Sequence, residues 1–130
     1  MTTAPDPRRV LVVDDEPALR RVADRALTAA GFACETAEDG AAALDRLAAG
    51  GFDAVLTDLR MPAVNGHALC VELLARPDPP AVLVLTAVVD PALRADLLAR
   101  GVARILHKPA SPRLLVGAVA GVLAGRPGRP

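Results

Sequence analysis

Five short apolar runs, each followed by a stretch with helical period, constrain this chain more than any other feature. The runs are Val10–Val13, Ala33–Thr36, Ala54–Thr57, Ala81–Leu85 and Ala103–His107. Four are rich in Val, Leu or Ile, and at least three are nearly continuous. That suits strands covered on both faces of a parallel sheet. Ala33–Thr36 is the weakest run and fits an edge.

The intervening stretches place apolar residues three or four apart, the spacing of one helix face. Pro17–Ala30 carries Leu19, Val22, Ala26 and Ala29. Asp15 and Glu16 before Pro17 mark its start, and Gly31 marks its stop. Asp39–Ala48 carries Ala42, Leu44 and Leu47; Asn65–Ala75 carries Ala68, Leu69 and Leu73. Pro91–Ala99 carries Leu93, Leu97 and Leu98. Ser111–Ala124 carries Leu114, Leu115, Ala118, Val119 and Val122, with Ser111 as an N-cap. Strand and helix alternating five times predict an α/β fold, a doubly wound parallel sheet with helices on both faces.

A chain of 130 residues is one domain's worth. Residues 1–7 are expected to be a flexible N-terminus and 125–130, all Gly, Arg and Pro, a flexible tail. The domain proper is expected at 8–124. The first seven residues lack the basic and apolar regions of a signal peptide, so none is expected. No apolar run approaches the roughly 18 residues of a membrane-spanning helix. Fifteen basic and fifteen acidic residues cancel, which argues against general nucleic-acid or polybasic membrane binding. With no Trp or Tyr and only two Phe, the core must be Leu, Val and Ala, and stacking platforms for single strands are missing. Cys34 and Cys70 form no CxxC pair and are expected to be small core residues of a reduced, intracellular protein.

Open α/β sheets carry their sites at the carboxyl ends of the strands. Asp14, Asp15 and Glu16 follow the first run, Asp58 the third, Thr86 the fourth, and Lys108-Pro109 the fifth. With strand order 2-1-3-4-5 these residues gather on one edge. Two like charges about 4 Å apart repel by roughly 4 kcal/mol at an effective dielectric near 20, so the acids call for a cation. Oxygen ligands alone suit Mg²⁺, and neither His nor Cys is at hand for zinc. The lone Lys of a chain with fourteen Arg adds a compact charge suited to a phosphoryl group. Phosphoryl transfer to a carboxylate nucleophile is the chemistry implied. Each residue alone has a plainer reading: acids at 14–16 also suit a helix N-terminus, and Asn65-Gly66 also suits a turn.

Val10-Leu-Val-Val-Asp-Asp-Glu16, Asp58-Leu-Arg-Met-Pro-Ala-Val-Asn-Gly66, Thr86-Ala87 and Lys108-Pro109 together resemble the receiver domains of bacterial two-component response regulators. The spacings of 44, 28 and 22 residues between Asp14, Asp58, Thr86 and Lys108 agree, and the resemblance covers about Arg8 to Leu123. It implies a flavodoxin-like (βα)5 fold. It implies that Asp58 accepts the phosphoryl group, and that Asp15, Asp58 and the Arg60 backbone carbonyl bind Mg²⁺ directly, with Asp14 acting through water. Thr86 and Lys108 would hold phosphoryl oxygens, across a cis Lys108-Pro109 bond. The donor would be a phosphohistidine on a sensor histidine kinase or phosphotransfer protein. The product would be a signalling state read by a downstream protein target, in a cytoplasmic phosphoacceptor rather than an enzyme.

Further expectations follow from the resemblance. The switch pairs Thr86 with an aliphatic Ile105 where the family usually has an aromatic residue, which predicts coupling that is weakened or replaced by backbone shifts in the fourth βα loop. Arg60 and Val88 flank the site and predict slow loss of the phosphoryl group. Helix 1, with Arg20, Arg21 and Arg25, is the expected kinase-docking face. The output face is expected on the fourth helix, fifth strand and fifth helix, with Arg94, Asp96, Arg100, Arg104 and Arg113 as candidate exposed charges. His67 and His107 are expected to be bystanders. A single-domain regulator is expected, as a monomer or weak phosphorylation-dependent dimer. The alternatives are a fragment of a hybrid kinase or larger regulator, a phosphorylation-independent scaffold, and an aspartyl-phosphate hydrolase. The hydrolase would want an acid where Arg60 stands.

Overall fold

The computed structural model describes residues 6–61, 65–87 and 90–127. Ten elements alternate: β1 (Arg9–Val13), α1 (Pro17–Ala29), β2 (Ala33–Ala37), α2 (Gly40–Ala48) and β3 (Ala54–Thr57), then α3 (Gly66–Leu74), β4 (Ala81–Thr86), α4 (Pro91–Arg100), β5 (Arg104–His107) and α5 (Pro112–Ala124). The five strands are parallel and ordered β2-β1-β3-β4-β5, the flavodoxin-like arrangement expected.

Alternate strand residues face opposite sides of the sheet, so the core splits in two. Leu11, Val13, Val55, Val82 and Val84 meet Ala43 and Leu47 of α2, Leu69 and Leu73 of α3, and Leu97 of α4. Val10, Val12, Leu56, Leu83 and Leu85 meet Ala23 and Leu27 of α1 and Leu115, Val119 and Leu123 of α5. Cys70 is buried and Cys34 half-buried. Burial pushes both thiols up to about 12, helped at Cys34 by the nearby Asp24 carboxylate, so neither is poised as a nucleophile.

Four helices start on side-chain caps. Asp39, Asn65, Asp90 and Ser111 accept the N–H groups of Ala42, Ala68, Ala92 and Leu114 at 2.8, 2.8, 3.1 and 3.1 Å. The chain's only Asn thus starts α3. α1 starts differently: Glu16 makes no side-chain cap, and Pro17 presets the first turn.

Helix orientation departs from the periodicity in α1. Val22 is 43% exposed and Ala29 is also exposed, while Ala23 and Leu27 are buried. Leu19 packs against the core and Ala26 is half-buried, as expected, so the buried face is rotated toward Ala23 and Leu27 rather than exchanged for another. Leu98 and Leu114, also expected inward, are each 42% exposed.

Arg126, at the start of the expected tail, is half-buried and donates to the Pro79 carbonyl at 2.9 Å. Its own carbonyl accepts from Arg8 at 2.5 Å. Among the described residues, no helix is long and apolar enough to cross a membrane.

Candidate functional site

Strand register builds the site. Val13 and Thr57 are paired across β1 and β3, and the Asp58 N–H donates to the Val13 carbonyl at 3.0 Å. Asp14 and Asp58, each one residue beyond its strand, therefore lie side by side. Thr86 ends β4 opposite His107 of β5, and the Lys108 N–H donates to the Thr86 carbonyl at 2.9 Å. Asp14, Asp58 and Thr86 are all buried, at 1, 7 and 1% exposure, whereas Asp15 is exposed.

Carboxylate oxygens of Asp14, Asp15 and Asp58 lie within 4.8 Å of one another. Lys108 answers this charge. Its Nζ donates to Asp58 Oδ2 at 3.0 Å and sits 2.9 Å from Asp14 Oδ2 and 3.5 Å from Glu16 Oε1. The Glu16 side chain, placed at a helix start by its position, thus reaches into the ammonium's shell. Burial alone would lower the Lys108 pKa, but hydrogen bonds to Asp14 and Asp58, and their charges, carry it above the ordinary lysine value. Asp14 is raised by burial, against the Glu16 N–H and Lys108, which both favour its charged form.

Backbone groups hold the other side of Asp58. Its Oδ1 accepts the Leu59 N–H at 2.7 Å and the Arg60 N–H at 3.3 Å. Behind it, Gly66 packs so tightly that an added Cβ would lie 1.8 Å from the Asp58 carbonyl oxygen. The Lys108-Pro109 bond is cis.

The donor set is three carboxylates with no imidazole or thiolate, all on one sheet edge. Oxygen ligands with a surplus of negative charge fit a hard divalent cation such as Mg²⁺. Of the expected site residues, Asp14, Asp15, Asp58 and Lys108 come together. Thr86 ends the neighbouring strand, and Arg60 follows Asp58 on the loop after β3 with its side chain exposed. Ile105 is half-buried, paired with Val84 and packed against the α2–α4 core. Val88 and residues 62–64 of the loop motif lie outside the described residues, as do residues 1–5 and 128–130.

Three contacts were not legible beforehand. Glu16 joins the Lys108 shell. Arg20, expected on the docking surface, turns its Nη1 to the Asp14 carbonyl at 2.7 Å. His67, expected to be a bystander, links α3 to α4 through Asp96 at 3.1 Å, with Arg100 on the same oxygen at 2.9 Å. His67 and Arg100 together hold Asp96 below the usual carboxylate value. Asp96 and Arg100 are therefore engaged with each other, while Arg94, Arg104 and Arg113 remain exposed.

The comparisons agree with this geometry. The chemotaxis response regulator CheY4 of Vibrio cholerae superposes with a TM-score of 0.83 at 29% identity, over 90% of this chain and 99% of that one. The receiver domain of a NarL response regulator from Mycobacterium tuberculosis gives 0.83 at 34% identity, over 94 and 100%. Response regulator MprA of Mycolicibacterium vanbaalenii is 43% identical over 81 residues, 62% of this chain and 35% of that protein. The DNA-binding transcriptional regulator NtrC of Escherichia coli is 38% identical over 100 residues, 77% of this chain and 21% of that protein. This chain thus spans only a fraction of those two relatives. The family model of the response regulator receiver domain matches residues 10–120. With the strand order and the acid–lysine cluster at the sheet edge, that match makes the chain a member of the response regulator receiver domain family.

Proposed function

We propose that residues 8–124 are a phosphoacceptor whose Asp58 takes a phosphoryl group from a phosphohistidine in the cytoplasm. One observation carries this reading. Asp58 is 7% exposed, and its carboxylate is held on one oxygen by backbone N–H groups and on the other by Lys108, within reach of two further carboxylates. A nucleophile so fixed needs little reorganisation to react. An Asp58 oxygen attacks phosphorus, a P–O bond forms, the P–N bond to the donor histidine breaks, and the imidazole leaves with the electron pair. Asp15, Asp58 and the Arg60 carbonyl would hold Mg²⁺ directly and Asp14 through water. When bound, Mg²⁺ neutralises charge on the phosphoryl oxygens and the acids. Lys108 then exchanges its Asp58 contact for a phosphoryl oxygen, and Thr86 donates to another.

The sensor kinase or phosphotransfer protein would dock on α1, where Arg21 and Arg25 are exposed. A downstream protein target would read the changed surface. The same site would serve a single-domain regulator or the receiver of a longer one; the CheY4 match over 99% of that chain supports the first, and the MprA match over 35% of that protein the second.

Incubation with Mg²⁺ and a small acyl phosphate, followed by intact mass, tests the reading. One phosphoryl adduct is expected on the wild type and none on Asp58→Asn. No adduct on the wild type supports a scaffold instead, and rapid catalytic donor turnover supports a hydrolase.

The packing of Ile105 against the α2–α4 core favours a switch centred on Thr86 and the fourth βα loop. With a phosphoryl mimic bound, Thr86 is expected to move and Ile105 to keep its place. A concerted swing of both in a crystal structure would overturn that.

A further inference from the structure

Asp15 is the exposed member of the acidic trio, and no hydrogen bond or ion pair among the described residues holds its carboxylate. Asp14, one residue earlier, is tied at every polar atom. Its N–H donates to the Ala37 carbonyl at 3.1 Å, and its Oδ1 accepts the Glu16 N–H at 2.9 Å. Its Oδ2 meets Lys108 at 2.9 Å, and its carbonyl accepts from Arg20 Nη1 at 2.7 Å. The last contact matters for Asp15. The peptide joining residues 14 and 15 is planar, so pinning the Asp14 oxygen fixes the orientation of the Asp15 N–H and the bond to its Cα. Arg20 reaches this carbonyl from the first turns of α1, whose buried stripe seats it against the sheet.

We propose that Arg20 is a positioning residue for the cation site. Its guanidinium holds the Asp14–Asp15 peptide so that the Asp15 carboxylate faces Asp14 and Asp58. This rests on the metal reading above, and it makes an unusual prediction of sign. Arg20 carries a positive charge beside an acidic pocket, so charge alone says that removing it strengthens cation binding. A positioning role says that removing it weakens binding.

Arg46 separates the two effects. It lines the same polar cleft of about 330 Å³ as Arg20, with Thr36, Ala37, Glu38 and Ala42, but its ion pair is with Glu35 at 3.3 Å. Arg46→Ala therefore removes a nearby cationic charge without touching Asp14.

Calorimetric titration of Mg²⁺ into the full chain provides the test, with the metal-free unfolding midpoint measured alongside. Arg20→Met keeps the apolar stem and is expected to weaken Mg²⁺ binding about tenfold, the low end for outer partners of metal ligands. Arg20→Lys, which keeps a donor, is expected to lie between Arg20→Met and wild type, and serves if Arg20→Met does not fold. Arg46→Ala is expected to bind as well as wild type or more tightly. The inference is overturned if neither Arg20 variant weakens binding, or if Arg46→Ala weakens it equally. It is also overturned if the loss merely tracks a lowered midpoint. A wild type that binds no Mg²⁺, or an Asp15→Asn variant that binds it undiminished, gives a different pattern and removes the metal reading itself.

Discussion

Gly66→Ala is expected to lose about 3 kcal/mol of stability or more, at the upper end of what overpacking costs. Gly66 opens α3 and is buried against the Asp58–Leu59 backbone of the loop after β3. An added Cβ would meet the Asp58 carbonyl oxygen at 1.8 Å, the Leu59 Cα at 2.6 Å and the Asp58 carbonyl carbon at 2.7 Å. These are backbone atoms, so no side chain can rotate away. Relief requires α3 to withdraw or the loop after β3 to shift. The loop is also tied by the Gly66 N–H to the Leu59 carbonyl at 3.1 Å, and the Asp58 carbonyl accepts the Thr57 hydroxyl at 2.8 Å. Displacing it moves the carboxylate that Lys108 and two backbone N–H groups hold. The melting midpoint should fall by roughly 10 °C, at a few degrees per kcal/mol for a domain this size. Any protein that still folds should accept phosphoryl groups more slowly. An unchanged midpoint would contradict the close approach of α3 to the loop after β3.

Lys108→Met is the second large effect, and its pH dependence identifies the cause. Lys108 is the cation that Asp14, Asp58 and Glu16 share. Removing one partner of a buried ionic cluster leaves the others uncompensated, at a cost of about 3 kcal/mol near pH 7. Asp14 is already raised by burial, and loss of Lys108 removes two influences that lower it. Its protonation at acid pH should therefore relieve the variant, and the gap to wild type should narrow as pH falls through the carboxylate range. At the alkaline end the sign reverses for the wild type. Lys108 has a folded-state pKa above the ordinary lysine value, so its contribution is whole below about pH 10.4 and is lost as pH rises through the folded value. The variant lacks that alkaline loss. Urea unfolding across pH measures both limbs, and a gap independent of pH would sink the charge account. Lys108→Met should also bind Mg²⁺ about tenfold more tightly, or 1.4 kcal/mol, because Nζ no longer occupies Asp14 Oδ2 and Asp58 Oδ2. On the proposed function it should nonetheless take up the phosphoryl group poorly, since the ammonium proposed to meet the phosphoryl oxygens is gone.

Much of this molecule is legible in its sequence. All five runs became strands, β3 with the expected ends and the other four with one end shifted by a residue: β1 begins at Arg9, β2 reaches Ala37, β4 reaches Thr86 and β5 starts at Arg104. Asn65, Asp90 and Ser111 cap helices where their chemistry suggests. The clustering of Asp14, Asp58 and Lys108 was also legible, because each follows a strand of a parallel sheet whose order the alternation implies. Helix rotation was less so. Val22 and Ala23 are both apolar, and only the sheet beneath α1 distinguishes them.

The sequence by itself determined the layer order and the edge on which acids, hydroxyl and ammonium meet. Those depend on hydrophobic period and strand direction, which are local properties repeated along the chain. Tertiary structure alone decided that Arg20 holds the Asp14 carbonyl, that Glu16 shares Lys108, that His67 reaches Asp96 and that Gly66 touches the Asp58–Leu59 backbone. Each is one side chain or one missing Cβ meeting a group from another turn or element. No repeating pattern announces such a contact, because it depends on the angle at which two packed elements cross.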